Sequence, residues 1–272
     1  MATIVWGACT AHTAAMNRLP PGTDPAQADR VFAAFQQLHG TLIASKPDAL
    51  VVVGTDHFMT FNYNAVPTFA IGTGDSFQSW GEGNSPNRRF RGHDALSIEL
   101  VEGLVAADFD VLRVDEMRVD HAFATPLGFL LGDTELPVIP IYVNCTVTPL
   151  PSHARCRAFG QALGKVLRAQ DAAARVAVVG TGGLSHWIGV PQTGDINENF
   201  DHDFLDRFVV GDLSGLVALD SDWVIEQAGN GAAEIRNWII ASEAIRPQRR
   251  TQLAYEPVRS WKTGIGVVEL TP

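Results

Sequence analysis

The chain is poor in cysteine, with three among 272 residues: Cys9, Cys145 and Cys156. An odd number at irregular spacing argues against a disulfide framework and does not match the paired cysteines of a zinc knuckle. We therefore expect reduced thiols. Cys9 lies close to His12 in sequence, but a small buried residue is the commoner role for such a cysteine.

Long apolar runs and an excess of positive charge are also missing. No stretch approaches the roughly 20 apolar residues that a membrane-spanning helix needs, and the first residues do not resemble a signal peptide. The 30 acidic and 20 basic residues give a formal net charge of −10 at pH 7, which argues against a nucleic-acid partner. We expect a cytoplasmic protein that binds neither nucleic acid nor membrane.

Linker-like segments and internal repeats are absent as well. The apolar fraction of 46% is enough for a substantial core at this length. We therefore predict one catalytic domain over residues 1–272.

The most informative pattern present is a run rich in valine and isoleucine that breaks at a glycine and soon reaches a histidine. It occurs three times, in Thr3–His12, Leu50–His57 and Val176–His186. Such runs are typical of buried parallel strands, and ligands in open α/β sheets bind beyond the carboxyl ends of the strands. The pattern predicts an α/β fold with a central, mostly parallel or mixed sheet, helices on both faces and an active site at the strands' carboxyl ends.

Helices are predicted where apolar residues recur at helical spacing. Asp24 and Pro25 have the character of an N-cap and first turn, which begins a helix to about residue 45. Further helices are expected at 94–107, 151–169, 197–210, 222–228 and 232–245, and further strands at 68–71, 111–114, 138–143, 252–255 and 265–270. Asp120 and His121 are assigned to a turn. Residues 73–91 are assigned to a long ordered segment that forms a wall or lid over the site.

Four of the eight histidines are candidates for chemistry. Surface or capping roles are expected for the four in predicted helices or helix starts: His39, His93, His153 and His202. The other four follow strands or the predicted turn, and neutral imidazole is both a common metal ligand and a group that titrates near neutrality. These candidates are His12, His57, His121 and His186.

A metal site with two histidines usually needs an anionic oxygen ligand, and Glu234 is the candidate. It lies in the first turn of an apolar helix, where an inward-facing carboxylate needs a partner. An equally weighted alternative is that Glu234 only complements the helix dipole. Asp120 and Asp56 are candidates to orient a neighbouring imidazole, or are simple turn residues.

Taken in order, these segments resemble the class III extradiol ring-cleavage dioxygenases, and within them the catalytic β subunits of protocatechuate 4,5-dioxygenases. The resemblance rests on His12, Gly54–His57, Pro67–Gly72, Val119–Pro126, Gly180–His186 and Gly231–Glu234. It implies that iron(II) is bound by His12, His57 and Glu234, a facial triad with open positions for a catechol and dioxygen. It further implies acid/base roles for His186 and His121.

The same resemblance implies a small helical partner subunit that covers the site, unless residues 73–91 cover it alone. Arg88, Arg89 and Arg91 are candidates to bind a substrate carboxylate, although a solvated cluster is the commoner situation. The aromatic substrate is expected to be catecholic, with carboxyl, further hydroxyl or amino substituents open. A homodimer is expected on general grounds.

Two other functions would use the same residues. A zinc hydrolase would take its nucleophile from metal-bound water, with His186 as general acid. A binding protein without turnover would keep the fold but would not need the full set of four histidines and a glutamate.

Overall fold

The structure is a computed structural model, and it describes residues 2–272. These residues form one α/β domain with ten strands and eight α-helices. The strands are β1 (Thr3–Thr10), β2 (Ala49–Gly54), β3 (Phe69–Gly72), β4 (Ser76–Gln78), β5 (Arg89–Arg91), β6 (Leu112–Val114), β7 (Val138–Val143), β8 (Arg175–Thr181), β9 (Arg249–Val258) and β10 (Thr263–Thr271). The helices are α1 (Pro25–Ala44), α2 (Asp94–Val105), α3 (His121–Leu131), α4 (His153–Ala169), α5 (Glu198–Val210), α6 (Leu213–Val217), α7 (Ser221–Ala228) and α8 (Ile235–Ile245).

Eight strands make the central sheet, in the order β6-β3-β7-β2-β8-β1-β10-β9. The four inner strands β7, β2, β8 and β1 run parallel, whereas β3 pairs antiparallel with β7 and β10 pairs antiparallel with β1. The prediction of a mostly parallel or mixed sheet is therefore confirmed. Because β2, β8 and β1 are neighbours, their carboxyl ends lie side by side.

Helices cover both faces of the sheet, as predicted. Alternate residues of β2 point to opposite faces: Val51 and Val53 pack in the core under α4 and α8, and Leu50 and Val52 pack in the core under α1 and α3. Every residue of β2 is buried, which explains why this strand appears in the sequence as a continuous apolar run.

The helix from Asp24 agrees with prediction, because the Asp24 carboxylate accepts a hydrogen bond from the backbone N–H of Ala26 and Pro25 is the first helical residue. The turn assigned to Asp120 and His121 is wrong. Asp120 is the N-cap of α3, and His121 is its first residue.

Helix α3 escaped prediction because Pro126 lies inside it. Proline cannot donate to the carbonyl four residues earlier, that of Ala122. The Thr181 hydroxyl donates to this carbonyl instead, at 2.8 Å, so β8 supplies the partner that the helix lacks.

Other differences are local. Residues 73–91 include a short hairpin, β4 and β5, and a 3₁₀ turn at Glu82–Asn84, and α6 lies in a region without a predicted element. Glu234 closes a 3₁₀ helix, Asn230–Glu234, and α8 begins only after it. Within residues 2–272, none of the helices combines the length and apolar character that a membrane crossing requires.

Candidate metal centre and active site

The four candidate histidines converge at the carboxyl edge of the sheet. His12, His57 and His186 follow β1, β2 and β8, and His121 begins α3 beside them. The ring centroids of His12 lie 5.6 Å from those of both His57 and His121, and the His57 and His121 rings stack at 4.2 Å. One nitrogen from each of these three rings lies within 4.8 Å of the other two, which is close enough for a shared metal ion.

The Glu234 carboxylate faces this cluster, and the residue as a whole is 2% exposed. Its Oε1 atom lies 3.3 Å from Nε2 of His57 and 3.8 Å from Nε2 of His12. Its Oε2 atom accepts a hydrogen bond from the backbone N–H of Gly183 at 2.7 Å. A Cβ at Gly182 would lie 2.6 Å from the Cβ of Glu234, so the glycines after β8 make room for this side chain. The carboxylate thus points inward, not only along the helix axis.

Carboxylates orient two of the imidazoles. Asp120 accepts from the backbone N–H and from Nδ1 of His57, at 2.7 and 2.8 Å. Nδ1 of His121 lies 2.9 Å from Oε1 of Glu82, which also accepts from the His121 backbone N–H. Asp120 therefore orients the distant His57, not its neighbour His121.

Asp56 does not orient His57. Its carboxylate accepts from the backbone N–H groups of Met59, Thr60 and Phe61, which is the turn role considered above. Glu82 was missed by sequence reasoning. An acidic residue between two glycines in an otherwise polar segment carries no periodic signal, and only the unusual length of the segment marked it as functional.

Burial and neighbouring charges set the protonation of the cluster. Burial lowers the pKa of His12 to about 3, against the opposing effect of Glu234, so this imidazole is neutral. Burial also lowers the pKa of His186. At His57 burial acts in the same direction, but the Asp120 and Glu234 carboxylates together outweigh it and raise the pKa well above its ordinary value. Burial alone would raise the pKa of Glu234, but the surrounding histidines, above all His57 at hydrogen-bond distance, outweigh burial and hold that pKa well below its ordinary value.

The His186 ring is held in a tight environment. Its Nδ1 lies 2.9 Å from the carbonyl oxygen of Leu184, and a Cβ at Gly231 would fall 2.0 Å from its Nε2. The buried Asp201 accepts from both the backbone N–H and the hydroxyl of Ser185, at 2.8 Å each, and so anchors the segment that carries His186.

The histidines set aside lie away from the cluster. His93 caps α2, as expected, and His202 packs against Tyr255. Nδ1 of His39 lies 2.8 Å from the Leu130 carbonyl oxygen, and Nδ1 of His153 lies 2.9 Å from that of Leu219. The arginine group is also remote: Arg88, Arg89 and Arg91 line a separate cavity beside the β4–β5 hairpin.

Comparison with known proteins decides the family. The family model described as "Catalytic LigB subunit of aromatic ring-opening dioxygenase" matches residues 7–266. The chain belongs to this family. The predicted class, an extradiol ring-cleavage dioxygenase that opens a catecholic ring, is thereby confirmed.

Curated relatives of this dioxygenase carry one recurrent name. This chain is 28% identical over 313 residues to the 2,3-dihydroxyphenylpropionate/2,3-dihydroxicinnamic acid 1,2-dioxygenase of Photorhabdus laumondii, with 97% of this chain and 96% of that one covered. It is 31% identical over 289 residues to the enzyme of the same name from Mycolicibacterium vanbaalenii, with 88% of each chain covered.

The fold of the dioxygenase is also found in the crystal structure of an uncharacterized Escherichia coli K12 protein. The TM-score is 0.63 at 16% identity, and the match covers 98% of this chain and 99% of that one. At this identity the likeness supports the fold alone.

Family membership implies a catalytic metal, and the side chains present fit one. The Nδ1 atom of His12 is buried without a hydrogen-bond partner among residues 2–272, and its Nε2 lies beyond hydrogen-bond distance of Glu234. The two groups therefore face each other without a hydrogen bond. A neutral imidazole and an ionised carboxylate are typical ligands of a divalent metal ion.

A cavity of about 350 Å³ opens onto this cluster. The four histidines form part of its wall, and the rest includes Thr13, Trp187, Trp261, Lys262 and Thr263. Aromatic and polar groups are therefore combined beside the imidazoles, as is usual for small-molecule sites.

Proposed function

We propose that this dioxygenase is an iron(II) enzyme whose metal is bound by His12, His57 and Glu234. The observation that supports the proposal is the convergence of the Glu234 carboxylate with the Nε2 atoms of both histidines, at 3.8 and 3.3 Å. Two imidazoles and one carboxylate on one side of an ion leave positions free for substrate. When bound, iron(II) supplies a Lewis acid and a one-electron redox centre at which the catechol and dioxygen meet.

His186 is the proposed proton acceptor for the catechol. If Nδ1–H donates to the Leu184 carbonyl, the lone pair of Nε2 is free on the other side of the ring. Burial keeps the imidazole neutral, so it is ready to take a proton from a substrate hydroxyl and to return it during ring opening. A positioned imidazole contributes about 10²–10⁴-fold in such steps.

His121 is the proposed second acid/base group. It lines the same cavity as His186 and stacks on His57, so its ring lies beside the proposed metal ligands and the substrate space. Two imidazoles then serve a reaction that removes protons from the diol and later replaces them.

The substrate is proposed to be a catechol with a carboxylate on a side chain. Lys262 is the one lysine or arginine among the residues that line the cavity; it is exposed and makes no ion pair within residues 2–272. The relatives' names specify a catecholic propionate or cinnamate. A Lys262→Met substitution should raise KM for a carboxylated catechol and leave KM for catechol itself unchanged. Equal changes for both substrates would remove Lys262 from substrate recognition.

The zinc hydrolase reading uses the same three ligands, but nothing in the geometry favours it over the activity that the family and the relatives' names indicate. The single catalytic domain, the homodimer and the small helical partner subunit stay predictions. Residues 73–91 reach the cluster through Glu82, which contacts Nδ1 of His121, but none of them is among the residues that line the cavity, so their role as a lid also stays a prediction.

The proposed ligand set is tested by metal retention and turnover together. His12→Ala and Glu234→Ala should abolish iron(II) retention, whereas His186→Phe should keep iron but lose most turnover. Protein loaded anaerobically is mixed with catechol, protocatechuate, gallate, an aminophenol and a dihydroxyphenylpropionate, and oxygen uptake and ring-opened chromophores are followed. Metal retention after Glu234→Ala would refute the triad, and no oxygen uptake on any substrate would refute the iron(II) assignment.

A further inference from the structure

Glu82 makes an unusual contact with the cavity wall. It lies in the 3₁₀ turn of the 73–91 segment, 39 residues before His121. One carboxylate oxygen, Oε1, accepts from both the backbone N–H of His121 and, at 2.9 Å, its ring Nδ1. A single oxygen thus fixes both the start of α3 and the orientation of the imidazole.

The arrangement repeats that of the neighbouring ring. His57 also directs its backbone N–H and its Nδ1 to one carboxylate oxygen, that of Asp120. The two rings stack with an interplanar angle of 19°. Because each Nδ1 is committed to a carboxylate, each Nε2 is the nitrogen left for chemistry in the site.

Glu82 also satisfies a backbone N–H at the N-terminus of helix α3. The N–H of the first helical residue has no partner within the helix, and an anion at this end is favoured by the helix dipole. Asp120 already caps the next N–H, that of Ala122, so Glu82 serves a donor that the N-cap leaves open.

We propose that Glu82 is a positioning residue that holds His121 as its Nδ1–H tautomer, with the Nε2 lone pair directed to substrate. Glu82 acts only through His121 and does not touch the substrate. The catalytic consequence rests on the acid/base role of His121 in the proposed function, whereas the tautomer is a property of the protein itself.

The tautomer is tested without turnover. Histidine-selective ¹⁵N NMR of the metal-free protein, with the His121 signals assigned by their loss in His121→Phe, should show a protonated Nδ1 and an unprotonated Nε2. Glu82→Ala should shift His121 toward the Nε2–H form, whereas Glu82→Gln should retain the wild-type form because an amide oxygen accepts both hydrogen bonds. An unchanged tautomer in Glu82→Ala would overturn the proposal.

Turnover gives a second test. Glu82→Ala should lower kcat by about 10–100-fold, the usual effect of removing a group that orients a functional imidazole, with little change in KM. In a His121→Phe background the same substitution should cause no further loss. An equal loss in that background would mean that Glu82 acts on the segment's structure, and a Glu82→Gln variant as impaired as Glu82→Ala would also overturn the proposal.

Arg89→Ala is the matched control. Arg89 is an exposed residue of the same 73–91 segment and lines the separate cavity, so its removal should change neither the tautomer nor kcat. If the wild-type chain has no dioxygenase activity, the proposed function fails while the NMR test of Glu82 still stands.

Discussion

Gly231 packs directly against the His186 ring, and there is no room between them for a methyl group. A Cβ at residue 231 would lie 2.0 Å from Nε2 of His186 and 2.3 Å from both adjacent ring carbons. Ordinary van der Waals contact begins near 3.4 Å, so Gly231→Ala must displace the imidazole by more than about 1 Å. The backbone of Gly231 is not in the left-handed region, so the ring clash is the main effect.

The expected loss follows from this displacement. A shift of about 1 Å in a catalytic group costs on the order of 10²-fold in rate, which corresponds to about 2.7 kcal/mol in the activation free energy. Overpacking of this kind should also lower the free energy of unfolding by about 1–3 kcal/mol. Metal content should be unchanged. The assay is kcat/KM from oxygen uptake, beside metal analysis and a denaturant titration.

Two controls isolate the mechanism. Gly40→Ala, on the exposed face of α1 with no atom within 4 Å of the new Cβ, should keep full activity. In a His186→Ala background, Gly231→Ala should cause no further loss of rate. Wild-type kcat/KM in the single variant, or an undiminished further loss in the double variant, would refute the reasoning.

Three further predictions concern stability and reactivity. Thr181→Val leaves the Ala122 carbonyl without its donor and should lower the free energy of unfolding by about 1–3 kcal/mol relative to Thr181→Ser; equal stability of the two would contradict this. Burial raises the pKa of Asp201 to about 6, so the folded state favours the protonated carboxyl. The stability that this group contributes is fully present below the unfolded pKa near 3.8 and is lost as the pH rises through 6. Between pH 5 and pH 8 the wild type should therefore lose about 1 kcal/mol relative to Asp201→Asn in denaturant titrations, and parallel pH profiles would contradict it. The thiols of Cys9, Cys145 and Cys156 are buried, and burial raises the pKa of each. They should therefore resist a thiol reagent in the native protein and all react after denaturation, and rapid labelling of any one of them in the native protein would contradict this prediction.

Much of the fold was predictable because the inner strands are buried on both faces. That burial requires continuous apolar runs, which are visible in the sequence at β2 and β8. Helix α3 was not predictable in the same way. Its internal Pro126 opposes a helix locally, and the compensating hydroxyl of Thr181 comes from a strand 55 residues later in the chain.

The sequence by itself determined the fold class and the candidate residues, since strand-terminal histidines on neighbouring parallel strands must emerge at the same edge of a sheet. It left the direction of the Glu234 carboxylate open, because an acidic residue at a helix start satisfies the helix dipole in any orientation. Only the tertiary structure decided that Glu234 faces His12 and His57, that Asp120 orients His57, and that Glu82 contacts His121. The physical reason is that hydrogen-bond partners depend on packing between elements distant in the chain, and local propensity carries no record of them.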